Sequence, residues 1–205
     1  MSGINTALAE LPAAIVTTDQ DIIAAYLTDF RRQLTGRSPA LLRPSSVKEV
    51  QQIVTICGRY RIGLVPQGGN TSYCTAATPG SGGDEVVLSL ERMNEVREID
   101  PTNMSMIADA GAVLSVLQDR ASDAGLLLPL SLGSQQSCRI GGNVSTNAGG
   151  IQVLRYGMTR DLVLGLEVVL ADGSIFNGLS PLRKNNAGYD VKQLFIGAGG
   201  KLGVI

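Results

Sequence analysis

Apolar positions recur at helical spacing from Asp19 to Leu34. Ile22, Ile23, Tyr26, Leu27, Phe30 and Leu34 share one stripe, and Thr18 is placed to cap the start. This pattern predicts an amphipathic N-terminal helix, broken by "GRSP". The short run "ALLRP" then reads as a strand, and Ser46-Val47-Lys48-Glu49 has capping-box spacing. The helix behind that box buries Val47, Val50, Val54 and Cys57. After Gly58, "RIGLVP" reads as another strand, so residues 40–66 run strand, helix, strand, the order expected of parallel pairing. "EVVLSL", "EVREID" and "MSMIADAG" predict three further strands, followed by a helix over about residues 113–124. Beyond residue 160, "LVLGLEVVLADGSIFNG" predicts a hairpin turning at Asp172-Gly173, "YDVKQLFIG" a short helix, and "GAGGKLGVI" a strand-like run. The chain stops in mid-pattern there, as a fragment would.

Composition narrows the class. With 205 residues and 44% hydrophobic content the chain can bury a core as one domain or two small lobes. Seventeen basic against eighteen acidic residues leave a net charge of -1, so the overall balance favours neither nucleic acid nor an anionic membrane. No apolar run reaches the length of a membrane span. Cys57, Cys74 and Cys138 are odd in number and form no metal-binding pair. The opening residues carry no secretory or mitochondrial presequence pattern, so a reducing cytoplasm is expected. Histidine is absent altogether. That removes the commonest general base, the commonest zinc ligand and any histidine link to a cofactor.

Two glycine-rich stretches carry the candidate chemistry. "PQGGNTS", residues 66–72, ends a predicted strand, where successive backbone N–H groups can form an anion-binding nest. "SCRIGGNVSTNAGG", residues 137–150, holds two glycine pairs among short polar side chains. Either could be a turn, but a shared phosphate-bearing ligand explains both together, because glycine lets the main chain approach it closely. Two familiar nucleotide motifs fail. In "GAGGKLG", Leu202 occupies the third glycine of a dinucleotide fingerprint, and Lys201 is followed by Leu202 where a P-loop needs Ser or Thr. Cys138 reads as a small buried hydrophobe more readily than as a flavin-linking thiol. Lys184, Asp190, Lys192, Arg155, Tyr156 and Arg160 read as surface groups.

Taken in order, "PQGGNT", "SCRIGGNVSTNAGG", "YGMTRDLVLGLEVVLADG" and "KNNAGYDVKQLFIGAGGKLGVI" resemble the FAD-binding PCMH-type domain of FAD-linked 2-hydroxyacid dehydrogenases, of the vanillyl-alcohol oxidase superfamily. The likeness runs from about Arg43 to Ile205 and is nearest to the D-2-hydroxyglutarate, D-lactate and glycolate oxidase subunit types. It implies an α+β domain of two lobes, one with a small parallel or mixed sheet and a larger one with mainly antiparallel strands, helices packing on both. The implied division is a helical arm over 1–36 and a FAD-binding domain over 37–205, with lobes at about 37–98 and 99–205. The resemblance further implies noncovalent FAD, with Gly68, Gly69, Asn70 and Thr71 in the first pyrophosphate loop. Gly141, Gly142, Asn143, Thr146 and Asn147 would lie along the pyrophosphate and flavin, Gly133, Ser134 and Ser137 on the approach, and Ile205 near the adenine end. Gly199 and Lys201 depart from the glutamate and threonine common in the family.

The implied activity is oxidation of a small 2-hydroxy acid to a 2-oxo acid by hydride transfer to FAD, followed by an unidentified electron acceptor. A C-terminal substrate-binding domain, expected to be absent here, would supply the base, so no catalytic residue and no metal ligand is assigned to this chain. An enolpyruvyl sugar-nucleotide reductase-like flavin domain and a noncatalytic flavin- or nucleotide-binding module are the alternatives.

Overall fold

The protein is described here by a computed structural model covering residues 2–205. Its first sheet has four strands, β1 (Val16–Thr17), β2 (Leu41–Leu42), β3 (Gly63–Gln67) and β4 (Glu85–Ser89), in the order β1-β2-β4-β3. The strand-helix-strand unit is parallel as its sequence suggests, but β2 and β3 do not touch. Each pairs in parallel with β4, Leu41 opposite Val87 and Gly63 opposite Glu85. β4 is the central strand, and Val86, Val87 and Leu88 are fully buried, as expected of a strand covered on both faces. Alternate residues supply opposite faces. Val86 and Leu88 join the main core, while Val87 packs with Ile23 and Leu41.

The main core lies between this sheet and two helices, α1 (Ser2–Ala9) and α3 (Val47–Tyr60). Helix α3 forms because Ser46 caps it, its hydroxyl accepting the Glu49 N–H at 3.3 Å. The Glu49 carboxylate reaches one residue further back than a standard box, to the N–H of Ser45 at 2.6 Å. The buried stripe is Val50, Ile53, Val54, Ile56 and Cys57; Val47 is only partly covered. Helix α1, which lies before the first predicted element, places Ala7 in the core, and Leu11 and Ile15 follow it there. Residues 2–17 thus pack on the first lobe and add β1 to the edge of its sheet.

The predicted helix over residues 19–34 does not form as such. Helix α2 spans only Gln20–Ile23, capped by Asp19 and not Thr18, and one tight turn follows at Ala24–Tyr26. The cause is Asp29. Its carboxylate accepts the N–H groups of Arg31 at 3.0 Å, Gln33 at 2.7 Å and Leu34 at 2.5 Å, bonds that replace the helical ladder. The stripe accordingly has no single buried face, and Ile22, Phe30 and Leu34 stay exposed.

The second lobe holds two separate antiparallel ladders. β5 (Val96–Asp100) pairs with β6 (Ser105–Ala108), and β7 (Glu167–Val169) with β8 (Ile175–Asn177). The β7–β8 hairpin turns at Asp172-Gly173, with Gly173 at φ +83°. Around the ladders run α4 (Leu114–Asp123), α5 (Ile140–Ser145), α6 (Val153–Tyr156), α7 (Thr159–Leu162) and α8 (Lys192–Phe195). A second core gathers Val144, Leu166, Val168, Phe195 and Ile196. Of the strand-like C-terminal run, only Val204 makes a bridge, to Val169. The two lobes share a boundary at α3, where the Gln51 side chain donates to the Gly173 carbonyl at 2.7 Å. Among the described residues no helix is long and apolar enough to cross a membrane.

Candidate functional site

The first glycine stretch leaves the C-terminal end of β3. Gln67, the last strand residue, is buried and ties the exit in place, its amide donating to the carbonyls of Tyr26 at 3.0 Å and Ala77 at 2.7 Å. Gly68, Gly69, Asn70 and Thr71 follow, all half-buried, and none of their four backbone N–H groups donates to a protein acceptor. Four successive donors without a protein partner, in a half-exposed turn, are open to solvent or to an anionic ligand. Gly69 has no room for a side chain: a Cβ there would lie 2.1 Å from the Ser137 carbonyl oxygen. Asn70 is left-handed, at φ +50°, and its side chain donates to the Thr28 carbonyl at 2.8 Å.

The second stretch is not an irregular loop. The carbonyl of Ser134 accepts from Ser137 and Cys138, at 2.8 and 2.7 Å, and the chain then enters helix α5, which contains Gly141 and Gly142. Neither glycine of this pair has a positive φ, so close packing and not backbone freedom accounts for them. A Cβ on Gly141 would meet the Ala110 side chain at 2.6 Å, whereas one on Gly142 would point into open space. The N–H groups of Ile140 and Gly141 are taken by the carbonyls of Ala112 and Ala110, but that of Gly142 has no protein acceptor. The later pair differs again: Gly150 adopts φ +100°, and a Cβ there would sit 2.1 Å from the Ser131 carbonyl.

The structure brings the two stretches together. A Cβ on Gly68 would lie 3.6 Å from the Arg139 side chain and 3.7 Å from the Gly142 nitrogen, while Gly69 abuts Ser137 and Cys138. The amide and hydroxyl side chains beyond Gly142 are engaged within the protein. Asn143 is buried and donates to the Cys138 sulfur at 3.5 Å, the Thr146 hydroxyl donates to the Gly142 carbonyl at 2.8 Å, and the Asn147 side-chain oxygen accepts the Arg160 N–H at 2.9 Å. Gly133 lies apart from the pair, lining a surface depression with Leu132, Gln136 and Ile151. Ile205 packs at the edge of the second core.

Arg160, which reads as a surface residue in the sequence, is an organiser of this region. Its guanidinium donates to the carbonyls of Gln193 at 3.1 Å and Ile196 at 2.5 Å and to the Gln193 side chain, fastening the C-terminal segment beside α5. Gly197 and Gly199 complete the join by donating to the α5 carbonyls of Val144 and Ser145. No local pattern reveals this role, since the partners lie more than thirty residues away in sequence.

The chemistry of the paired glycine stretches is that of an anion site. Five free N–H groups, of residues 68–71 and 142, present partial positive charge, and neither stretch contains an acidic residue. Arg139 is the one charged side chain within them, and it is engaged with the Gly111 carbonyl at 2.5 Å. Among the described residues no cluster of His, Cys, Asp or Glu could hold a metal ion. Cys138 is buried against Leu114 and Leu130, and burial pushes the Cys57 thiol up to about 11. A group bearing a pyrophosphate fits: the donors are in place, and the space beside Gly142 is where a side chain would otherwise stand.

Likeness to known proteins extends over most of the chain. The profile of one family, described as "FAD binding domain", matches residues 38–178. The mitochondrial D-2-hydroxyglutarate dehydrogenase of Bos taurus is 47% identical over 190 residues, which cover 93% of this chain and 35% of that protein. The D-2-hydroxyglutarate dehydrogenase of Stutzerimonas stutzeri is 41% identical, over 93% of this chain and 40% of its own length. This chain therefore spans little more than a third of these relatives. Among solved structures, an alkyldihydroxyacetonephosphate synthase superposes over all of this chain with a TM-score of 0.84 at 22% identity. Phl p 4, a glucose dehydrogenase from grass pollen, does so over 98% of it at 0.80 and 18%. At these identities the likeness is one of fold, and it is the expected α+β architecture.

Proposed function

This chain belongs to the FAD binding domain family, and on that premise we propose that it is the cofactor-holding part of a flavin-dependent dehydrogenase that oxidises a 2-hydroxy acid to the corresponding 2-oxo acid. The carrying observation is the juxtaposition of five unpaired backbone N–H groups, four after β3 and one at Gly142, around a side-chain-free space. In this reading the N–H groups of Gly68, Gly69, Asn70, Thr71 and Gly142 bind the pyrophosphate. Gly141 and Asn143 hold α5 in place to present its donor, Ser137 seats Gly69, and Thr146 and Asn147 fix the exit of the helix. Gly133 and Ser134 are assigned to the approach to the second stretch and Ile205 to the adenine end of the cofactor. When bound, the flavin supplies the two-electron acceptor for hydride transfer. The chain's own contribution is to orient that group and to shield one side of it from water.

The 40–47% identity to proteins named D-2-hydroxyglutarate dehydrogenases supports D-2-hydroxyglutarate as the substrate. The base and the groups that clamp the substrate carboxylates belong, in this proposal, to the part of those relatives that this chain does not span. We propose further that FAD is held noncovalently, supported by the absence of histidine and the burial of Cys138. The lobes divide at about residue 98. A reducing compartment such as the cytoplasm is supported by three free cysteines, although the name of the bovine relative places that protein in mitochondria.

The test is reconstitution. The purified chain should take up FAD and release it to the supernatant on acid precipitation. Colour remaining with the polypeptide overturns the noncovalent assignment, and failure to bind FAD overturns the reading. For the substrate, the coding sequence extended to the length of the relatives should reduce a dye with D-2-hydroxyglutarate far faster than with D-lactate or glycolate; the opposite preference overturns that choice.

A further inference from the structure

The row of four free donors after β3 needs something to hold its shape, because a nest of unpaired N–H groups has no hydrogen bonds of its own to stabilise it. Gly69 is seated by the second stretch. Asn70 is held from another side, by the segment 27–36, which lies outside the residues matched by the family profile. That segment is closed on itself. Thr28 bridges to Thr35, the Asp29 N–H donates to the Leu34 carbonyl at 3.0 Å, and Gly36 donates to Leu27 at 2.9 Å. At its centre is Asp29, buried at 2% exposure although the six residues that follow it are open to solvent, its two oxygens taking three backbone N–H groups.

The loop and the residue before it touch the donor row once and its two flanks on either side. The Thr28 carbonyl accepts from the Asn70 side chain, and the Tyr26 carbonyl accepts from Gln67 at the exit of β3. Beyond the row, Phe30 packs at a tilt against Tyr73 with ring centroids 5.6 Å apart, and the Arg31 guanidinium lies 4.2 Å from the centroid of the same ring. The aromatic residues are more than half exposed, so this contact does little for the core; it fixes two loops relative to one another. Residues 26, 28, 30 and 31 thus bracket residues 67–73 from Gln67 to Tyr73.

We infer that the Asp29-centred loop is a brace that sets the geometry of the cofactor's anion site, with Asp29 and Asn70 as positioning residues that bind through the neighbouring backbone. The inference deepens the proposed function, since it takes the anion to be the FAD pyrophosphate. Asp29 acts at one remove: its carboxylate shapes the loop, the loop presents the Thr28 carbonyl, and that carbonyl holds Asn70 at a left-handed φ that most side chains resist.

Three variants of the 205-residue chain test it. Asp29→Ala removes all three acceptor contacts, Asp29→Asn keeps an oxygen that can serve part of them, and Asn70→Gly keeps the left-handed backbone but deletes the tether. FAD titration should show about tenfold weaker binding for Asp29→Ala and Asn70→Gly and a smaller loss for Asp29→Asn, as expected when one or two polar contacts are lost. In the ligand-free protein, the heteronuclear NOE of the amides of residues 68–71 should fall in Asp29→Ala and Asn70→Gly, with both variants still folded and the melting temperature of Asn70→Gly within a few degrees of the parent's. Parent-like FAD affinity in both variants, in a parent that binds FAD, overturns the brace. If the parent itself fails to bind FAD, the cofactor reading falls instead, and the amide NOEs still decide: unchanged values overturn the brace and lowered values support it. Should Asp29→Ala not fold, Asn70→Gly alone carries the same two outcomes.

Discussion

The two glycine pairs at the candidate site differ in backbone and agree in design. Gly68-Gly69 lies in a turn that leaves a strand and leads into a left-handed asparagine, whereas Gly141-Gly142 lies in the first turn of a helix with ordinary dihedrals. In each pair one glycine is wedged, Gly69 against the Ser137 carbonyl and Gly141 against Ala110, and the other stands at the junction of the two segments. The wedged member lets two backbones come close. Its partner keeps the resulting space clear. A glycine pair therefore need not mean conformational freedom, and only the contact made by each member tells which role it has.

The strongest way to break this comparison is Gly69→Ala. Its Cβ would lie 2.1 Å from a backbone oxygen, so the two stretches cannot meet as they do. Overpacking of this kind costs about 1–3 kcal/mol. A fall in melting temperature of about 3–9 °C for a chain of this size is expected, together with loss of measurable FAD binding. An unchanged calorimetric melting temperature and affinity would show that the stretches are not in contact. Gly142→Val should instead separate binding from stability. Valine has a better helix propensity than glycine, by about 0.3 kcal/mol, and there is no positive φ to strain. The fold should survive within about 2 °C while FAD affinity drops by more than tenfold; equal affinity in the titration would remove α5 from the site.

Arg160→Ala comes next, testing the join between α5 and the C-terminal segment. Loss of contacts from a charged donor to two buried-side carbonyls should destabilise by about 1.5–3 kcal/mol. Urea unfolding measures it, and a change under about 0.5 kcal/mol would mean those contacts are replaced by water. A milder contrast uses the thiols. Cys74 is exposed beyond the first stretch, whereas Cys138 is buried beneath the second and Cys57 is buried in the core with its thiol held up to about 11. A chromogenic disulfide at pH 8 should label one thiol per native chain and three after denaturation. The smallest effect is that of Asp29, whose carboxyl is held below its usual range by the Leu34 N–H and its neighbours. A depressed folded value stabilises the protein above the unfolded pKa of about 3.9 and is lost as pH falls through the folded value. The Leu34 amide shift should therefore titrate below pH 4, and a midpoint at or above 4 would contradict the bonding.

These contrasts also mark how far the chain can be read from its letters. Signals carried by neighbours in sequence survive: Ser46 does cap α3, Asp172-Gly173 does turn the β7–β8 hairpin, and "LVPQ" does form a strand ending at the glycine stretch. The stripe over 19–34 misleads because one carboxylate, Asp29, outcompetes the helix locally, and periodicity cannot weigh a side-chain bond against a backbone ladder. Helix α5 is invisible for the opposite reason. "IGGNVS" has poor propensity and is held by carbonyls at positions 110 and 112 and by the segment at 197–199, all remote in sequence. The juxtaposition of the two glycine stretches was inferable from a shared ligand, but the division of labour within each pair needed coordinates.

The strand order of the first sheet has a consequence for how the protein is made. Because β2 and β3 each bond to β4 and not to one another, a ribosome that has released residues 1–80 has exposed two hydrophobic strands without the one that joins them. Until residues 85–89 emerge, the sheet pairing on offer among the described residues is the two-residue ladder of β1 with β2, too short to persist alone. The nascent chain must therefore carry Leu41 and Leu42 for some forty residues of synthesis, and Val65 for some twenty, without the strand that pairs with them, a window in which chaperone binding and self-association compete with folding.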